Sequence, residues 1–70
     1  LYLDQKNYEE AINQFTLAVS TDPVHSESYF FRGISKELQG NKNAAIADYQ
    51  QALLIDPEFE AAAEALKGIQ

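Results

Sequence analysis

Cysteine is absent from the 70 residues, so neither disulfides nor thiolate metal ligands can reinforce a core. Histidine occurs once, at His25, and one imidazole builds neither a metal site nor a nucleophile–base pair. No run approaches the roughly 18 apolar residues of a membrane span, and no basic-then-apolar leader opens the chain. Membrane insertion is therefore not expected. Cations are scarce, with 5 Lys and Arg against 11 Asp and Glu. The net charge of −6 argues against nucleic acid, whose phosphates need a basic footprint. The three glycines, Gly33, Gly40 and Gly68, lie too far apart for a phosphate-cradling loop. Nothing implies a cofactor. A chain this short buries a modest fraction of its surface, so stability must come from apolar packing, a partner or the rest of a longer protein. The first residue is Leu1, in what reads as mid-helix, and an excised piece of a longer protein is expected. Absence of cysteine fits a reducing compartment, so the expected location is cytoplasmic.

What the chain does contain is an internal echo. Asp22-Pro23 returns as Asp56-Pro57, 34 residues later. At the same offset Gln5 meets Gln39, Asn7 meets Asn41, and Ala11-Ile12 meets Ala45-Ile46. Phe15 then meets Tyr49, Ala18 meets Ala52, and Val19 meets Leu53. So many matches at one offset define a repeat.

Within each unit the spacing is helical. Ala11, Phe15, Ala18 and Ala45, Tyr49, Ala52 fall at i, i+4, i+7, flanked by Ile12, Val19 and Ile46, Leu53. Asn7 is the expected N-cap of the first helix, with Glu10 returning the bond as in a capping box. Glu9 and Glu10 would then sit in the first turn, where the helix dipole favours acid. Pro23 and Pro57 close these helices. A second helix is predicted from about Ser26 to Gln39, ended by Gly40 in the left-handed conformation. A last one is predicted from about Phe59 towards Gln70. Helices joined by short turns, without strand signals, make an all-α array of antiparallel hairpins. A plain antiparallel four-helix bundle is the alternative, although it would not require the 34-residue echo.

The residues that carry this echo resemble a known family. Tyr29, then Gly33, Gly40, Ala45, Tyr49, Ala52 and Pro57, form the large-and-small pattern of a tetratricopeptide repeat. The first copy offers Tyr2, Tyr8, Ala11, Phe15, Ala18 and Pro23. The resemblance implies a short right-handed solenoid: a partial repeat over 1–25, a complete one over 26–59, and a terminal, capping helix over 60–70. In that last helix Glu60, Glu64, Lys67 and Gln70 would face water while Ala62, Leu66 and Ile69 pack inward. Gly33 inside a helix costs about 1 kcal/mol relative to alanine, tolerable where a paired helix crosses too closely for a side chain.

The resemblance further implies a protein-interaction scaffold, with the first helix of each repeat lining a concave groove. Carried onto this chain, the groove residues are Glu27, Phe30, Phe31, Ile34, Glu37 and Leu38, with Glu64 from the last helix and Leu3 and Asp4 at the start. Phe30, Ile34 and Leu38 form a stripe that Phe31 widens, and contiguous apolar residues on so small a scaffold suggest a contact surface. The same stripe could instead pack against a preceding helix. Arg32, Lys36 and Gln39 stand where the family pattern has apolar or aromatic residues. The clamp by which some members hold a chaperone-tail carboxylate is not expected, because Phe31, Ala61 and Ala65 occupy its Asn, Lys and Arg places. The expected partner is a protein or peptide carrying an apolar segment. Self-assembly into a homo-oligomer through the same stripe is the alternative. Catalysis is not expected, since the carboxylates read as helix caps and solvated faces, and His25 as an exposed turn residue.

Overall fold

A computed structural model of the chain describes residues 5–69. Four helices follow one another: α1 (Gln5–Thr21), α2 (Ser26–Leu38), α3 (Lys42–Ile55) and α4 (Glu60–Ile69). Each packs on its neighbour in sequence, so α3 lies between α2 and α4. No strand occurs among the described residues.

The turns repeat as faithfully as the residues. After α1, Asp22 N–H donates to Ala18 O at 2.9 Å and His25 N–H donates to Asp22 O at 3.1 Å. After α3, Asp56 N–H donates to Ala52 O at 2.9 Å and Phe59 N–H donates to Asp56 O at 3.1 Å. The reason is local. Proline disfavours helical geometry in the residue before it, and Asp56 accordingly adopts φ −131, ψ 91. Proline's fixed φ suits the second place of a tight turn, and aspartate suits the first. Asp56 Oδ1 also accepts from Glu58 N–H at 3.2 Å, bracing the corner from its side chain.

Between α2 and α3 a different device closes the helix. Gly40 adopts φ 93; its N–H donates to Glu37 O at 2.9 Å, and Asn41 N–H donates to Lys36 O at 2.8 Å. This paired closure is a Schellman motif, which needs a residue tolerant of positive φ. In the first copy the same register holds Lys6. An L side chain there is strained, and α1 instead runs helically through that position from Gln5. The expected cap at Asn7 is thereby corrected: Asn7 lies within α1, and Glu9 and Glu10 lie beyond its first turn, which holds no acid. Asn41 does sit at the N-cap of α3, although its side chain makes no capping bond. His25 caps α2 instead: its Nδ1 accepts from Ser28 N–H at 3.3 Å and lies 2.6 Å from Ser28 Oγ. The lone histidine is exposed, as expected of a turn residue, but it has a structural task that its spacing did not announce.

The core is centred on α3. Ala45, Tyr49 and Ala52 are each 0% exposed, so the i, i+4, i+7 stripe is the buried one. Its first-copy counterparts Ala11, Phe15 and Ala18 are only half-buried, because α1 packs mainly against α2 while α3 has a helix on either side. Ala62 is fully buried and Leu66 and Ile69 half-buried, while Glu60, Glu64 and Lys67 are exposed. Tyr2, Leu3, Asp4 and Gln70 lie outside the described residues.

Tyr49 fits only because Gly33 faces it. A Cβ at Gly33 would lie 2.7 Å from Tyr49 Cε1 and 2.9 Å from Cδ1, closer than side chains tolerate. The ring's hydroxyl donates to Glu37 Oε1 at 2.7 Å. Burial first, then the Glu37 carboxylate, raise the phenol's pKa well above its ordinary value, since both oppose a phenolate. A folded-state pKa above the unfolded value means the folded chain binds more protons above about pH 10. Stability from this group is therefore complete below pH ~10 and falls as pH rises beyond it, with a limiting slope of about 1.4 kcal/mol per pH unit. Urea titrations between neutral and strongly alkaline pH should record that fall. Tyr49→Phe should remove its Tyr49 component, and an unchanged profile in the variant would contradict the assignment.

Candidate functional site

On α2 the helical period gathers Glu27, Phe31, Ile34 and Leu38 within about 60° of one another. Phe31 is 45% exposed and Leu38 58%, while Ile34 is half-buried and Glu27 exposed. Phe30 and Glu37 border this face on the side turned towards α3. The sequence stripe of Phe30, Ile34 and Leu38 is thus redrawn. Phe30 is half-buried, its ring centroid 5.9 Å from Tyr49, 5.1 Å from Phe59 and 5.2 Å from Phe31. Phe59, arriving from the turn before α4, covers it. Phe31 takes its place as the free aromatic, with one side stacked on Phe15 of α1 at 5.9 Å and 23°. Phe15, Phe31, Phe30 and Phe59 therefore form one aromatic seam from α1 to the start of α4, and Phe31 and Leu38 leave apolar surface open beside it.

Two cations that seemed misplaced by the family pattern have a partner in α3. Arg32 donates through Nε to Asp48 Oδ2 at 2.9 Å and through Nη2 to Oδ1 at 2.8 Å. Lys36 Nζ lies 3.2 Å from Asp48 Oδ2. Arg32 Nη1 also reaches Thr16 Oγ1 of α1 at 3.3 Å, and its Cζ lies 5.3 Å from the Tyr29 ring centroid. Asp48 is only 4% exposed. Its bidentate hydrogen bond is the main reason the Arg32 pKa is raised, against the opposing effect of burial. Sequence reasoning missed this cluster. The available signal was one carboxylate beside the core Tyr49, facing two cations four residues apart on α2.

The cluster changes the electrostatics of the free face. With Arg32 and Lys36 turned towards Asp48, the charges bordering that face are the exposed carboxylates of Glu27 and Glu37. Glu37 is held by the Tyr49 hydroxyl rather than by a cation. A cleft of about 560 Å³ opens where the start of α2 meets the turn before α4, with His25, Glu27, Asp56, Glu58, Phe59 and Glu60 in its lining. A second, of about 470 Å³, lies between α1 and α2 and includes Leu17, Ala18 and Ser28. Glu64 is exposed on α4, without an ion pair or hydrogen bond to α2. Among the described residues no group of three or more His, Cys, Asp or Glu could hold a metal ion. None of their helices is long and apolar enough to cross a membrane.

Stacked helical hairpins with a small-residue crossing, a 34-residue period and no strand among the described residues define a helical-repeat protein. Tetratricopeptide-repeat models match residues 1–25 and 26–59, and the chain belongs to that family. It is similar to an NADPH oxidase activator of Dictyostelium discoideum, 32% identical over 53 residues. It is also similar to a DnaJ homolog subfamily C member 7 homolog of the same organism, 41% identical over 49 residues. The matched stretches are 76% and 70% of this chain but only 9% of either relative. No solved structure gives a significant match. Tetratricopeptide repeats are interaction scaffolds rather than catalysts, and this chain is accordingly a protein–protein interaction module.

Proposed function

We propose that the free face of α2, with Phe31, Ile34 and Leu38 as its apolar contacts, docks an apolar segment of a partner protein. The observation that carries this reading is the exposure of Phe31 and Leu38 two helical turns apart on the same face. Side chains that large leave water on association, and burying apolar area is the main driving force for such docking. Phe31 is pre-positioned by its stack on Phe15, so little side-chain freedom is lost when it is covered.

A short neutral peptide with leucine at i, i+4 and i+7 among glutamines tests the reading by fluorescence anisotropy. Leu38→Ser should weaken its binding roughly tenfold, while the melting temperature stays within the range of ordinary surface changes. Phe30→Ser is the contrasting variant. It loses three ring contacts and should cost about 3 kcal/mol of stability, because that ring belongs to the seam. Wild-type affinity in Leu38→Ser would sink the proposal. Sedimentation of the free chain identifies the competing occupant: association that rises with the chain's own concentration and is lost in Leu38→Ser would make this face a self-assembly surface.

A further inference from the structure

We propose that the segment received by α2 is basic, with lysine or arginine flanking its apolar contacts; this rests on the docking face described above. The charge around that face is of one sign for a structural reason. Glu27 stands at one end of the apolar stretch and Glu37 near the other, about 15 Å apart along the helix axis. The only cations of α2, Arg32 and Lys36, are both directed at the buried Asp48, so neither screens these carboxylates. Glu37 is fixed by the 2.7 Å bond from Tyr49, a donor that holds the carboxylate in place without neutralising it. At the amino end of α2, Asp56, Glu58 and Glu60 join Glu27 around the cleft beside Phe59. His25 stands there too, its Nε2 3.8 Å from Glu27 Oε1.

This arrangement also decides between occupants. A second copy of the chain carries a net charge of −6 and would set the same carboxylates against one another, and like charges brought together across an interface oppose binding. An acidic peptide or an anionic lipid surface meets the same repulsion. A neutral apolar segment would fill the stripe and bring no cation to Glu27 or Glu37. A basic amphipathic segment covers Phe31 and Leu38 and places its cations over the flanking carboxylates. Exposed pairs of this kind contribute modestly to affinity and more to the choice of partner.

Three peptides that share the leucine spacing and differ only in their flanking residues (lysine, glutamine or glutamate) provide the test on the intact chain. The lysine peptide should bind roughly tenfold more tightly than the glutamate peptide at low salt, with the glutamine peptide between them. The difference should shrink as salt is raised towards ~0.5 M, where exposed charges are screened over a few ångströms. Glu27→Gln with Glu37→Gln should bring the lysine-to-glutamate ratio close to one. Glutamine at position 37 keeps an oxygen for the Tyr49 hydroxyl, so the comparison does not depend on losing that bond. Equal binding of all three peptides, weakened alike by Leu38→Ser, overturns the charge inference and leaves the docking face standing. Failure of all three to bind removes the docking face itself. Self-association that the lysine peptide cannot displace overturns the inference in favour of a second copy.

Discussion

Tyr49→Ala is expected to unfold most of the chain at room temperature. The ring is fully buried, it touches Phe30, and it fills the space left by Gly33. Removing a buried aromatic costs about 3–5 kcal/mol. A single core in a chain this short rarely supplies more than about 3–5 kcal/mol of stability. The loss should appear as a collapse of the helical circular-dichroism signal and of the urea midpoint. Gly33 allows a sharper version of the test. In the wild type Gly33→Ala gains about 1 kcal/mol of helix propensity. It must also move a ring that would stand 2.7 Å from the new methyl, and overpacking of that kind costs about 1–3 kcal/mol. Asp48 Cβ, 3.2 Å from the same point, blocks an easy shift to that side. The net effect should be destabilising. In a Tyr49→Leu background the ring is gone, and Gly33→Ala should become stabilising. A sign change between backgrounds is a coupling that independent sites do not show. If Gly33→Ala stabilises the wild type, the glycine is not there to admit Tyr49.

Asp48→Ala should cost about 3 kcal/mol, nearly as much as the loss of the tyrosine. Deleting one member of a buried ion pair leaves its partner charged and poorly hydrated, a loss of about 3–5 kcal/mol. The lower end applies because the Arg32 and Lys36 side chains retain 16% and 22% of their exposure and can recover some water. Two cations would then face one another without the carboxylate between them. The cost lies in the unpaired charge, not in any large favourable energy of the cluster. Exchanging all three members for leucine should therefore recover most of the stability, since apolar packing commonly equals or exceeds a buried ionic group. Chemical denaturation of the single and triple variants measures both values. A triple variant as unstable as Asp48→Ala would mean that the cluster holds α1, α2 and α3 together by something beyond its charges.

Much of the fold was legible because its determinants are local. Aspartate before proline imposes the same turn wherever it occurs, and both copies close with the same hydrogen bonds. Glycine at position 40 permits positive φ, and the turn between α2 and α3 follows from that one residue. The apolar stripe of Ala45, Tyr49 and Ala52 was readable from spacing alone, and it is the most deeply buried part of the molecule. The error at Asn7 was local as well. Its counterpart Asn41 does precede a helix, but the glycine that ends α2 is replaced by Lys6 in the first copy, so the matching asparagine sits inside α1.

The surface of α2 was less legible. Phe30 and Phe31 are adjacent aromatics, and nothing in their spacing separates a covered ring from an open one. The helical period sets them about 100° apart without saying which side is covered, and Phe59, 29 positions away from Phe30, covers only that one. The direction of Arg32 and Lys36 likewise depends on Asp48, which reaches them only when α3 folds back along α2.

By itself the sequence determined the repeat length, the helices and the turns between them. Each of these depends on the dihedral preferences of a few neighbouring residues and on the period of the apolar ones. Only the tertiary structure decided which phenylalanine stays in water, and why the α2 cations turn to Asp48 and leave Glu27 and Glu37 as that helix's charges on its outer side. Both outcomes depend on distances between helices, and a side chain with several possible partners settles on one only when another helix brings it within a few ångströms.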